Sequence, residues 1–263
     1  MFQTIHRRSL LGGLIVTLIT ANTRPAFALS ATEILEINDR LRNPQQAFRS
    51  TITMTDYVAS RKNDTLSITV YSKPRPSDGQ FRSLVHIDAP RKDQGKLMLR
   101  DGKELYFYDP DAANTIRISP QQRLLGQASN GDVMTTNFAR DYRAVLNGVE
   151  TIKDAQKRSR RCFLLKMKSK TSAAVYGAID YWVDEKTYHP VKGRFYSRSG
   201  KLLKIVFYDR FQTVLGALRP TKVIIIDGLN TKNVTVMGFR NFKSVTLPDA
   251  WFQKTYLPKF QKQ

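Results

Sequence analysis

From residue 48 the chain alternates. Phe48, Ser50, Ile52 and Met54 interleave with Arg49, Thr51, Thr53 and Thr55, a period of two that predicts a strand with one buried face. Leu66, Ile68 and Val70 alternate with Ser67, Thr69 and Tyr71 in a second strand, and Asn63-Asp64 is available for the turn between them. After a basic loop over residues 73–79, residues 81–87 make a third strand, stopped by Ala89-Pro90. Before this run the period is helical. Ser30-Ala31-Thr32-Glu33 has capping-box spacing, and Ile34, Leu35, Ile37 and Leu41 set an apolar side against Glu36, Asp39, Arg40 and Arg42 until Asn43-Pro44 ends the helix.

Residues 95–141 hold the densest signals. Residues 97–100 and 104–108 flank Asp101-Gly102, a dipeptide that supplies the positive φ of a tight hairpin turn, with Lys103 allowing a bulged version. Asp109-Pro110-Asp111 is a second turn, and residues 115–118 are a third short strand. Ser119-Pro120 then places a capping hydroxyl before a proline, which predicts a short helix over residues 121–125 closed by Gly126. Further on, residues 142–152, 162–168, 179–183, 191–196, 202–208, 221–226 and 234–239 read as strands. A last helix is expected from Leu247-Pro248-Asp249, with Trp251, Phe252, Tyr256 and Leu257 packing an end of the sheet. About a dozen antiparallel strands with short returns describe a mainly β chain built on one large sheet or barrel, and not a βαβ fold.

The DGKELYFYDP hairpin, the RISPQQRLLG segment and the SNGDV…DY run resemble the outer membrane lipoprotein-sorting proteins, periplasmic carriers similar to LolA. Asp180-Tyr181-Trp182-Val183-Asp184 with His189-Pro190-Val191-Lys192, and Ser199-Gly200-Lys201-Leu202-Leu203-Lys204, resemble later hairpins of the same family. The resemblance implies a large antiparallel half-barrel sheet around an apolar cavity, lidded by a few short helices, that carries an acyl-bearing cargo. The lid would comprise residues 119–126 and 132–137 with the terminal helices. It further implies an inner-membrane donor, an exporter of the resistance-nodulation-division type, and an outer-membrane acceptor. A sensor similar to RseB, which shares the half-barrel but makes no onward transfer, is the alternative.

Composition narrows the compartment. The formal net charge is +21, which points to polyanionic partners. Arg7-Arg8 precede an apolar run over residues 10–21, and Ala26-Phe27-Ala28 offers a signal peptidase its small residues, so residues 1–28 read as a cleaved export signal and residues 29–263 as one domain. A run of about a dozen apolar residues is short of the roughly 20 that span a bilayer. Paired arginines are common in ordinary signals, so the general secretory route is expected in preference to the twin-arginine one. Cleavage removes Arg7, Arg8 and Arg24 and no acidic residue, which leaves +18 on the exported domain. The periplasm and the lack of any nucleic-acid motif argue against DNA or RNA and for lipid phosphates on an anionic membrane surface. The basic run over residues 153–170 is explained, without any ligand, as a solvated hairpin edge that resists aggregation.

Catalytic patterns are nearly missing. His86 and His189 have no companion at metal-ligand spacing, Cys162 reads as a packed residue, and the run from Gly126 through Ser129 to Gly131 has one residue too many for a hydrolase elbow. No phosphate loop or dinucleotide fingerprint occurs, and neither catalytic residue, metal nor cofactor is expected. Function is therefore expected to lie in apolar cavity and lid positions: Ile52, Met54, Leu97, Leu99, Tyr106, Tyr108, Leu124, Leu125, Met134, Trp182 and Phe207. N-terminal sequencing of protein recovered from the cell envelope is expected to begin at Leu29. Recovery of residues 1–28 on a membrane-embedded form would overturn the cleavage site.

Overall fold

The computed structural model describes residue 1, residues 29–172 and residues 174–262, so the expected export segment lies, Met1 apart, outside the described residues. The first alternating stretches become β1 (Phe48–Val58), β2 (Arg61–Pro74), β3 (Phe81–Ala89), β4 (Leu97–Asp101), β5 (Glu104–Asp109) and β6 (Asn114–Arg117). They step from the middle of a 13-stranded antiparallel sheet to one edge. A short hairpin of β7 (Arg123–Leu125) and β8 (Ala128–Ser129) stands apart from that sheet. Then β9 (Tyr142–Lys153) starts at the opposite edge. From there β10 (Ser159–Ser169), β11 (Ala178–Asp184), β12 (Pro190–Tyr196), β13 (Leu202–Val214), β14 (Ala217–Asp227) and β15 (Asn233–Ser244) walk back to the centre, where β15 pairs with β1. The sheet is a half-barrel whose free edges are β6 and β9.

This strand order has a consequence for the one long connection. Because β6 and β9 lie at opposite edges, residues 118–141 must cross the whole width of the sheet. They do so over its concave face, as the β7–β8 hairpin, a 3₁₀ turn at Asn130–Val133 and α2 (Phe138–Asp141), and we call them the strap. The earlier helix, α1 (Ala31–Arg42), lies beside it against α2, β9 and β14. Its capping box is formed: the Glu33 N–H donates to Ser30 Oγ at 3.2 Å and the Ser30 N–H to Glu33 Oε2 at 2.7 Å. Arg219 of β14 closes the other end, donating to the carbonyls of Arg40 (3.0 Å) and Leu41 (2.6 Å) that the helix itself leaves unpaired.

Register sorts the side chains into two apolar layers. Ile52 pairs with Ile68 and with Phe239, Met54 with Leu66 and with Met237, and Val206 with Ile225, so these residues share the concave face under α1 and the strap. On the convex face Tyr71, Leu84, Leu97, Leu99 and Tyr108 pack under Leu247, Trp251, Phe252 and Leu257 of the C-terminal segment. A smaller convex cluster joins Cys162, Leu164, Trp182 and Val191.

Three local expectations are corrected. The β1–β2 turn is Ala59-Ser60, both with positive φ, and not Asn63-Asp64; Asn63 is the extra residue of a bulge, where its amide donates to Asp56 Oδ2 at 3.0 Å. Residues 121–125 form no helix. Ser119 Oγ accepts the Gln121 N–H as a cap would, but the segment is too short to sustain helical hydrogen bonding and turns into the β7–β8 hairpin, whose turn residue Gln127 donates its N–H to Thr235 Oγ1 at 2.7 Å. The final helix is two 3₁₀ pieces, Asp249–Phe252 and Lys254–Lys259, since Pro258 inside the second lacks the donor an α-helix would need.

Cys162 is 0% exposed, and burial together with the neighbouring Asp184 carboxylate pushes its thiol up to about 12. It is expected to resist a maleimide or iodoacetamide at pH 8 in the native protein and to react fully in denaturant. Rapid labelling of native protein would show that the β10 packing is wrong.

Candidate functional site

Between the concave face and the strap lies a cavity of about 150 Å³. Its floor is built by the strict alternation of β1 and its register partners: Phe48, Ser50 and Ile52, then Val70, Val206, Val223, Ile225, Met237 and Phe239. Its roof is Val133, Met134 and Phe138 of the strap with Val175 and Tyr176 of the β10–β11 connection. Those two roof segments are fitted closely. A Cβ on Gly131 would stand 2.4 Å from Val175 Cγ2, so no side chain fits there.

Two buried cations of the sheet hold the strap in place. Lys204 of β13 donates to Asp132 Oδ2 at 2.6 Å and to the Gln127 carbonyl at 2.8 Å. Arg100 of β4, on the other half of the sheet, donates to Thr136 Oγ1 at 2.8 Å and to Asp141 Oδ2 at 3.2 Å. Tyr176 donates its hydroxyl to Asp132 Oδ1, and the Ser129 N–H donates to Asp132 Oδ2 at 2.8 Å, so the Asp132 carboxylate is saturated. Burial alone would raise the Asp132 carboxyl; the Lys204 ammonium and the Tyr176 hydroxyl outweigh it and hold Asp132 below the usual carboxylate range. At the hairpin tip, Gly126 has φ +51° and sits so close to Asp56 Oδ1 and Thr235 Oγ1 that a Cβ would lie 2.0 and 2.3 Å from them. Only glycine meets both conditions there.

Of the positions expected from sequence, Ile52 and Met134 line the cavity, and Met54 is fully buried on the same face without reaching it. Leu124 and Leu125 pack against the concave core from the strap hairpin, so they belong to the cover, as strand residues and not as a helix. The others face away. Leu97, Leu99, Tyr106 and Tyr108 belong to the convex layer under the C-terminal segment, and Trp182 and Phe207 stand on the convex side, where Lys192 lies over both rings at 5.3 Å. The error is one of parity: in β4, β5, β11 and β13 both faces are apolar, so alternation carries no sign. Val70, Val206, Val223, Ile225 and Met237 were missed for the same reason, although their register to Ile52 and Met54 places them. The histidines lie outside the cavity. His86 Nδ1 is 2.7 Å from Asp88 Oδ1, and His189 Nε2 is 2.9 Å from the Leu218 carbonyl. Among the described residues no group of three or more His, Cys, Asp or Glu side chains could hold a metal.

Known proteins share this fold. A LolA superfamily protein from Nitrosomonas europaea is 33% identical, over 87% of this chain and 100% of that one, and superposes with a TM-score of 0.78. The chain belongs to the LolA superfamily. A family model described as an uncharacterized protein matches residues 79–259 of this LolA-superfamily chain. Two further solved structures share the fold: a DUF1329 family protein from Desulfovibrio piger (22% identity, 86% and 97% of the two chains, TM-score 0.73) and a domain assigned as an outer membrane lipoprotein-sorting protein from Vibrio parahaemolyticus (19%, 87% and 98%, TM-score 0.70). A search among curated proteins returns no match. Among the described residues no helix is long and apolar enough to cross a membrane.

The strap pairing is expected to be pH-dependent. The Asp132 carboxyl is lower when paired than when released, so the closed form binds fewer protons; its stabilisation is complete above about pH 4 and is lost as pH falls through the depressed value. Amide exchange in residues 127–137, corrected for intrinsic rate, is expected to lose protection ahead of β13–β15 on acidification below pH 4, with Asp132→Asn removing that extra pH dependence. The same profile in wild type and variant would show that another group controls the strap.

Proposed function

We propose that this LolA-superfamily protein is a non-catalytic periplasmic carrier that takes the acyl part of a lipoprotein or lipid into the concave cavity and moves it towards the outer membrane. The observation that carries the reading is the cavity itself, apolar on its sheet side and covered by a strap that two buried ion pairs and further hydrogen bonds hold in place. A group the size of a water or a methylene occupies about 30 Å³ in a condensed phase. The cavity of about 150 Å³ therefore accepts an acyl segment of roughly five methylenes. At about 0.8 kcal/mol per methylene, that is a gross gain of about 4 kcal/mol before the costs of association. A lipoprotein anchor with several chains needs more room, and the strap is the part that can yield it. Donor and acceptor are proposed as an inner-membrane exporter and an outer-membrane receptor, met in turn. The +18 charge of residues 29–263 supports approach to anionic membrane surfaces.

The test is to occupy the cavity from the protein side. Ile225→Trp, replacing a floor residue that is 1% exposed, and Val206→Trp are expected to lower affinity for a fluorescent fatty acid at least tenfold, with the sheet's circular dichroism unchanged. The convex substitution Leu164→Trp is the control for nonspecific disturbance, and cargo-loaded wild-type protein should release its probe to acceptor membranes. Undiminished affinity in both folded cavity variants would overturn the cavity assignment. Retention of cargo in a stable complex with a signalling partner, without release, would favour a sensor.

A further inference from the structure

A second pocket, of about 260 Å³, opens on the outer side of the strap hairpin and shares Tyr176 with the acyl cavity. Its cationic lining is Arg123, Lys201 and Lys204, against one carboxylate, Asp227, which accepts from the backbone amides of Leu229 (2.7 Å) and Asn230 (2.9 Å). Arg123 and Lys201 are exposed, while the Lys204 side chain is 7% exposed and stands at the wall between the two spaces. Asp132 lines the cavity side of this wall and Lys204 the pocket side, joined at 2.6 Å.

A buried ammonium needs an anion. When cargo displaces the Asp132 carboxylate and covers Lys204 in its place, an ammonium left dry and unpaired is strongly unfavourable. A ligand that brings its own anion removes this penalty; a neutral one does not. We propose that the ligand of this protein is an amphiphile with an anionic headgroup, whose charge replaces the Asp132 carboxylate on Lys204, between Arg123 and Lys201, while its acyl chain passes Tyr176 into the cavity. This rests on the acyl-carrier reading above and adds the headgroup class to it. Strap opening is then coupled to cargo: the Asp132 carboxylate holds the headgroup's place in the closed form, and the headgroup compensates Lys204 in the loaded form.

The experiment compares two ligands with the same chain, lauroyl-lysophosphatidic acid and the neutral 1-lauroylglycerol, by calorimetry below their micellar concentrations, with inorganic phosphate as a third. The anionic lipid is expected to bind at least tenfold more tightly than the neutral one, and inorganic phosphate at least a hundredfold more weakly than the anionic lipid. Arg123→Glu with Lys201→Glu, both exposed, should reduce the preference at least fivefold, whereas Lys157→Glu with Lys168→Glu, the same charge change elsewhere on the surface, should leave it in place. Lys204→Arg should retain it, and Asp132→Asn should enlarge it. Equal affinity for the two lipids, or a preference that falls as much with the distant pair as with the pocket pair, would overturn the headgroup site while leaving the acyl cavity standing. Inorganic phosphate binding as tightly as the anionic lipid would make this a free-phosphate site and overturn the proposal. Failure of both lipids to bind would defeat the carrier reading and this inference together.

Discussion

Two buried ion pairs join the strap to the two halves of the half-barrel. Lys204 and Arg100 rise from strands in opposite halves of the sheet and take Asp132 and Asp141, near the two ends of the segment that roofs the cavity. Buried pairs of this kind contribute little net stability relative to apolar packing, but breaking one by removing a partner is costly because a charge is stranded. They therefore set geometry more than they add stability. With the strap seated, both cations are satisfied.

The topology makes such a strap unavoidable. A meander that runs from the centre of the sheet to one edge and resumes at the other must send its connection across a face, and here that connection also covers the core. The convex face is handled differently. Its first half is sealed by Trp251, Phe252 and Leu257, and Lys262 ties the tail down through Asp88, whose carboxyl is partly buried yet held at about 2 by hydrogen bonds from His86, Lys262 and Thr69. His86 thus serves in anchoring the tail. With one face sealed by packed aromatic rings and the other covered by a strap held through polar contacts, the two faces of the sheet are closed by different means.

The proposed function rests on that asymmetry. An apolar space that a methylene chain can fill, next to a cation already paired with a carboxylate, suits a molecule with both a chain and a charge. The positive surface of the chain has a share in this without being the site: many of its lysines and arginines are exposed on outer faces, paired with local acids, as Lys166 is with Asp180 and Arg161 with Glu185. Such pairs are screened and worth little individually. The two buried cations act on the strap directly.

By itself the sequence determined that the chain is an antiparallel β protein, where most strands lie, that α1 is capped by Ser30 and Glu33, and which face of β1 is buried, because each rests on local chemistry: period, turn residues, a cap. The resemblance of its hairpins to lipoprotein-sorting proteins pointed to the superfamily that the solved structures then showed. Tertiary structure decided the rest. Parity in strands apolar on both faces is set by pairing register and by what covers each side, so only the folded sheet could place Ile225 and Val206 in the cavity and Leu97, Leu99, Tyr106 and Tyr108 under the tail. Whether residues 121–125 are helix or hairpin was decided by Thr235 and Lys204, more than 75 residues away in the chain, whose side chains bind the Gln127 backbone. A cation on one strand and a carboxylate on a distant loop carry no mutual signal in sequence; folding brought Lys204 to Asp132 and made the pair a lock.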